Sequence, residues 1–254
     1  MKNLRIFLFL SLSIALASCK KDDSTDVIID EVSPTPPQLS LSYKFDVNGD
    51  SLTANADYKI SDSLHVKFET VQFYLSNISL LKESGLVKST NDVVLVKTST
   101  SNSALGDFPS GVYTGIQFCF GIDSLRNHLD PTSYSANSPL ALQIPSMHWS
   151  WNQGYIFAII EGKYSADSLS DSNTGNTFSY HIGLDQNFKD NIAFTFPSPI
   201  LVNANQTSVV KLKVNLATIF NSLSMSTDNS TTSTVNAGLA LRVRNNLISG
   251  INLD

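Results

Sequence analysis

"LSLSYKFDV", residues 39–47, sets Leu39, Leu41, Tyr43, Phe45 and Val47 at every second position with polar residues between them. That alternation marks a strand with one face on a core and the other towards water. Working outward, "LHVKF" (64–68) repeats the period, and "TVQFYLSNISLL" (70–81) continues it with a phase shift near Glu69–Thr70. Such a shift predicts a β-bulge. Further strands are predicted in "DVVLVKT" (92–98), "GVYTGIQFCFGI" (111–122) and "MHWSWNQGYIFAIIEGKY" (147–164). "TFSYHIGL" (177–184), "NIAFTFP" (191–197), "SVVKLKVNL" (208–216) and "LALRVRN" (239–245) complete the set. Helical signals are confined to "SLRNHLD" (124–130) and "LATIFNSL" (216–223), one or two turns each. About nine strands separated by Ser/Asn/Asp/Gly segments predict an all-β fold, an antiparallel β-sandwich, over residues 39–254. No internal repeat is present. The polar segments Asp167–Thr177 and Ser224–Thr234 read as exposed loops without a chemical motif.

The first 18 residues have a different character. Lys2 and Arg5 precede an apolar run from Ile6 to Ala17 that is too short to span a bilayer, which takes roughly 20 residues. This is the shape of a secretory signal. "LASC" resembles a bacterial lipobox, so the expected mature chain begins at a diacylglycerol-modified Cys19. The expectation is a lipoprotein held at the membrane by its lipid. "CKKDD" after it resembles an outer-membrane, surface-export tag, with a periplasmic-facing position as the alternative. Residues 19–38, charged and then proline-rich, form a tether. Removing residues 1–18 leaves 15 basic and 22 acidic residues, a formal charge of −7. That balance gives no electrostatic reason to bind nucleic acid or anionic lipid.

Cys119, the remaining cysteine, lies in an apolar run and reads as a small buried residue. There is no nucleophile elbow, phosphate loop or His-Glu-x-x-His zinc motif, so no enzymatic activity is expected. "DVNGDSLTANAD" (46–57) has the oxygens of a calcium loop, but its sixth position is Ser51 rather than glycine. A hairpin through "NGD" is the better reading. "MHWSWNQGYIF" (147–157) holds both tryptophans of the chain. Strand alternation would set Met147, Trp149 and Trp151 on one face and His148 on the other. The residues alone leave two readings open, a packed core strand or the wall of a site. Imidazole from His148 or His181, thioether and indole together would suit copper, above all Cu(I). The other two of the four histidines, His65 and His128, read as surface residues.

"FYLSNISLL" (73–81), "GVYTGIQFCFGIDSLRN" (111–127), "MHWSWNQGYIFAIIEG" (147–162) and "YHIG" (180–183), in that order, resemble the MbnP-like copper-binding domain family. The resemblance implies an all-β envelope protein that binds copper in acquisition, storage or delivery. It implies His181 as a ligand and Met147 as a soft ligand or neighbour; His148 would add a donor only where irregular backbone brings it to the side of Met147. Trp149 or Trp151 would be the residue oxidised to kynurenine by a partner di-haem enzyme of the peroxidase type. Asp123 and Asn127 would support the site through hydrogen bonds. Asp46 stands in "KFDVNG" where relatives can carry a histidine, and a carboxylate is the harder ligand. The alternative function is a metal-free surface sandwich in which Trp149 and Trp151 stack on a glycan, or which binds a protein partner.

Overall fold

The computed structural model describes residues 35–150, 152–169 and 175–254. The signal sequence, Cys19, most of the tether and Trp151 lie outside the described residues. Pro34–Asp254 forms one compact unit. None of the helices among the described residues is long and apolar enough to cross a membrane.

The strands in chain order are β1 (Gln38–Val47), β2 (Asp50–Ser51), β3 (Tyr58–Ser61), β4 (Leu64–Lys82) and β5 (Gly85–Lys88). Then come β6 (Val93–Lys97), β7 (Asn102–Asp107), β8 (Gly111–Phe120), β9 (His148–Ser150) and β10 (Gly154–Ser165). The last are β11 (Asn176–Gly183), β12 (Lys189–Val202), β13 (Thr207–Asn215), β14 (Ser230–Thr231) and β15 (Ile251–Leu253). They make two sheets. The larger runs β12-β8-β4-β10-β11-β14, with β3, β5 and β6 also on β4 and β9 on β10. The smaller runs β15-β13-β1-β2, with β7 also on β1.

β1 buries Leu39, Leu41, Tyr43, Phe45 and Val47, as its alternation requires. The bulge expected near Glu69 is present: Glu161 faces Thr70 while Gly162 faces Phe68, so Glu69 is left over. The "NGD" turn is a hairpin with Asp50 opposite Val47, and Asn48 (φ 53°) and Gly49 (φ 100°) both left-handed. That backbone matches the right-handed twist of the strands it joins. Between the sheets, Phe68, Phe178 and Phe220 meet with ring centroids 5.3–6.0 Å apart.

The fold differs from the sequence reading in three ways. The sandwich is not wholly antiparallel, because β1 and β13 pair in parallel from Gln38–Thr207 to Asp46–Asn215, and β11 pairs in parallel with β14. Parallel neighbours need a long crossover, here everything from β2 to β12, which no local pattern announces. The strand segments outnumber nine because β4 pairs with several short partners along its length. "LALRVRN" is not a strand but part of a helix. α1 is the single turn Ser124–Asn127, whereas α2 spans Ala237–Ser249. In α2 Leu239, Ala240, Val243 and Leu247 are buried while Leu241 is exposed, the spacing of a helix face. Asn236 caps it by accepting from the Leu239 amide at 3.1 Å. The other helical stretch, "LATIF", is a short 3-10 turn.

Candidate functional site

The tryptophan segment is not a continuous strand. Regular pairing begins at His148, and Ser146 Oγ turns back to the His148 backbone, donating to its carbonyl at 2.9 Å and accepting from its amide at 3.3 Å. Met147 therefore escapes strand alternation. Its thioether accepts a hydrogen bond from Gln72 Nε2 at 3.0 Å, and the side chain is fully buried. The His148 ring meets Tyr155 edge-on at 5.1 Å, and Tyr155 meets Tyr74 edge-on at 5.8 Å. Gln72 and Tyr74 are two apart on an unbroken stretch of β4 and share a face. Met147 and His148 thus cover one face of the larger sheet, where alternation alone would have separated them.

His181 belongs to that face as well. Ile159 pairs with Gln72 on one side and with His181 on the other, placing the three in one cross-strand row. His181 Nε2 lies 2.8 Å from Glu161 Oε1. An ionised carboxylate can only accept, so Nε2 carries the proton and the lone pair of the neutral ring sits on Nδ1. Two residues along β11, Trp149 fills the space beside Gly183: a Cβ there would sit 2.6 Å from its Cζ3. Trp149 is half-buried on the side of β11 that carries His181. The strand end is held from below by Ser233, which donates to the His181 carbonyl at 3.1 Å and accepts from the Gly183 amide at 3.0 Å. The segment read as a motif-free exposed loop, Ser224–Thr234, therefore buttresses this strand, and Met225, Asp228, Thr231 and Ser233 within it are buried.

The "GIDSLRN" motif supports the same region from its edge. Asp123 caps α1 by accepting from the Arg126 amide at 3.2 Å. Asn127 is fully buried; it accepts from the Tyr155 amide at 2.7 Å and donates to Asp185 Oδ1 at 2.7 Å. Gly154 (φ 74°) is obligatory beside it, since a Cβ would overlap the Asn127 carboxamide. Asp185 also accepts from Ser124 Oγ at 2.6 Å and meets His128 Nε2 at 3.2 Å. Burial pushes its carboxyl up, but the hydrogen bonds from Ser124, Asn127 and His128 outweigh this and hold it below the usual range. His148 is shifted down, first by burial, with Asp130 opposing and His128 adding repulsion.

Asp46 sits in the other sheet. Its Oδ1 accepts from the Gly49 amide at 2.7 Å and its Oδ2 is 3.5 Å from Lys213 Nζ, so this buried carboxylate stabilises its own hairpin. His128 is exposed beside Asp185; His65 is not a simple surface residue, being half-buried with Nδ1 3.0 Å from Asp57. Cys119 is buried, as expected. Glu161, Gln72, Asp185 and Ser233 were not anticipated. Glu161 alone carried a signal, an acid within the apolar run "FAIIEG".

Among the described residues no group of three or more His, Cys, Asp or Glu side chains is close enough to hold a metal ion. A metal at this face would therefore have to draw on the Met147 sulfur beside imidazole nitrogen. The donor set fits a soft ion: thioether and imidazole suit copper, and burial shifts His148 towards the neutral form that a ligand needs.

A family model described as MbnP matches residues 36–236. The structure is similar to that of MbnP from Methylosinus trichosporium, with a TM-score of 0.52 and 17% identity over 80% of this chain and 84% of that one. Comparison with curated proteins returns no match.

Proposed function

The chain belongs to the MbnP family, and from that premise we propose that it is a copper-binding protein of the bacterial cell envelope. It is anchored through a lipidated Cys19 at the outer membrane and works in acquisition, storage or delivery rather than in catalysis. The observation that carries the reading is the convergence of Met147, His148, Trp149 and His181 on one face of the larger sheet. Met147 and His181 are the ligands, with His148 the third donor. Asp46, engaged in its own hairpin, takes no part.

Two of the donors are prepared by neighbours. Glu161 holds the His181 ring in the tautomer that leaves Nδ1 available, as carboxylates do for metal-bound histidines. Gln72 fixes the Met147 sulfur. Copper when bound would supply a one-electron redox couple, and Trp149, beside the His181 strand, is the indole placed to be oxidised. A di-haem partner of the peroxidase type is the expected oxidant.

Copper content of the purified chain after dialysis tests the proposal, measured by elemental analysis beside His181→Ala and Met147→Leu. Near-stoichiometric copper in the parent, lost in His181→Ala and reduced in Met147→Leu, is the expected result. Copper should also raise the thermal midpoint in proportion to its concentration. Absence of bound copper, or copper retained in both variants, would overturn it. Peptide mapping of protein from its native host should find Trp149 oxidised; an unmodified residue there removes that part of the proposal.

A further inference from the structure

A second site adjoins the histidine face, separated from His148 by Tyr155, whose hydroxyl donates to the Leu140 carbonyl on the rim. A cleft of about 670 Å³ opens between β6 and β7, with Arg126 of α1 on one wall and residues 134–140 along the rim. Its size is within the roughly 300–1,000 Å³ of small-molecule sites. Arg126 is held rigidly: Nη1 donates to both oxygens of Asp92 at 3.1 Å, Nη2 donates to Asn77 at 2.8 Å, and Nε donates to Asp123. Lys88 adds a second cation to Asp92 at 2.9 Å. Two carboxylates thus face two cations, and the wall is polar without net charge.

That neutrality decides what the cleft can take. An anion would find the guanidinium already committed to two carboxylates, and a cation would find Asp92 already doubly paired, so neither gains from entering. An apolar ligand would leave these groups dry and poorly matched. What fits is a neutral molecule carrying many hydroxyls, each able both to donate and to accept. The remaining lining suits it. The side-chain amides of Asn91 and Asn137 and the Tyr134 hydroxyl have no hydrogen-bond partner among the described residues, and all three line the cleft. Tyr134 is half-buried, with burial pushing its phenol up and so keeping it protonated. Among the described residues of the lining, Tyr134 alone is aromatic.

We propose that this cleft binds a neutral saccharide of one or two sugar units. The sugar stacks a C–H face on Tyr134 while its hydroxyls bond to Asn91, Asn137 and the Arg126–Asp92 pair. The site does not depend on the copper reading and uses none of its proposed ligands.

The test uses the full-length chain on an array of neutral glucans, mannans and chito-oligosaccharides, with sialylated and sulfated glycans beside them. Affinities for retained sugars are then measured by titration calorimetry. Binding confined to neutral glycans is expected. Tyr134→Ala should weaken it about tenfold, the worth of one aromatic contact, and Asn137→Trp on the exposed rim should block it. Thermal midpoints matching the parent show that both variants are folded, and His181→Ala should bind sugar normally. Absence of binding to every neutral glycan, preference for charged ones, or binding undiminished in both variants would overturn the proposal.

Discussion

Replacing Asn127 by alanine tests how the site region is held together. This buried side chain joins two elements: its Oδ1 takes the Tyr155 amide at the start of β10, and its Nδ2 donates to Asp185. In Asn127→Ala the Tyr155 N–H is left buried without a partner, which costs about 1–3 kcal/mol. Removal of the carboxamide also leaves a void, and Asp185 loses one donor. Together these give about 3 kcal/mol, and for a domain of this size a thermal midpoint lower by roughly 6–12 °C. The assay is thermal and urea unfolding of parent and variant at neutral pH. Asn127→Asp sharpens it, because the new carboxylate still accepts from Tyr155 but faces Asp185 at hydrogen-bonding distance. Repulsion there should make this variant unstable at pH 7, with part of the deficit recovered as acidification protonates the pair. If Asn127→Ala lies within about 0.5 kcal/mol of the parent, the span of ordinary surface substitutions, the motif does not brace the site as argued.

Other outcomes follow from the same geometry. Gly183→Ala sets a methyl 2.6 Å from the Trp149 ring and 2.7 Å from the Tyr155 carbonyl; it should cost about 1–3 kcal/mol by overpacking and lower copper uptake, whereas parent-like behaviour would mean that the indole does not lie there. Ser233→Ala removes both supports of the β11 end and should cost about 1–2 kcal/mol, read by urea unfolding; no change would show the buttress to be idle. Burial lowers the His148 pKa from 6.5, so the unfolded chain takes up the proton first; this residue's contribution is complete above about pH 6.5 and is lost as pH falls through the folded value. His148→Gln should flatten that limb, and an unchanged slope would assign it to another group. Asp185 is held below the usual carboxylate range by its donors; its contribution is present above the ordinary value near 4 and lost as pH falls through the folded one. Asp185→Asn should remove that acid limb, measured by unfolding between pH 5 and 2.

Local pattern made much of the fold legible. The alternation of β1, the bulge at Glu69 and the "NGD" hairpin were each readable because strand period, phase and turn chemistry are set within a few residues. α2 was misread for the same reason: "LALRVR" alternates over six residues, and only the longer spacing of Leu239, Val243 and Leu247 shows the helix face. The MbnP fold was legible from rare residues at fixed spacing. The arrangement around the tryptophan segment was not, since alternation set Met147 and His148 apart, and a serine turn at Ser146 brings them to one face.

What the sequence by itself determined is therefore the periodic part: which residues face inward, where strands turn, and which soft side chains are available. Only the tertiary structure decided how those side chains are used. The parallel pairing of β1 with β13 joins segments almost 170 residues apart, and no local propensity encodes a partner at that distance. The row of His181, Ile159 and Gln72 depends on the register of three strands from separate parts of the chain. The tautomer of His181 depends on Glu161 of a neighbouring strand, and the neutral Arg126–Asp92 wall on a helix turn meeting a distant loop. These are pairwise energies between remote groups, and they exist only once the chain has closed on itself.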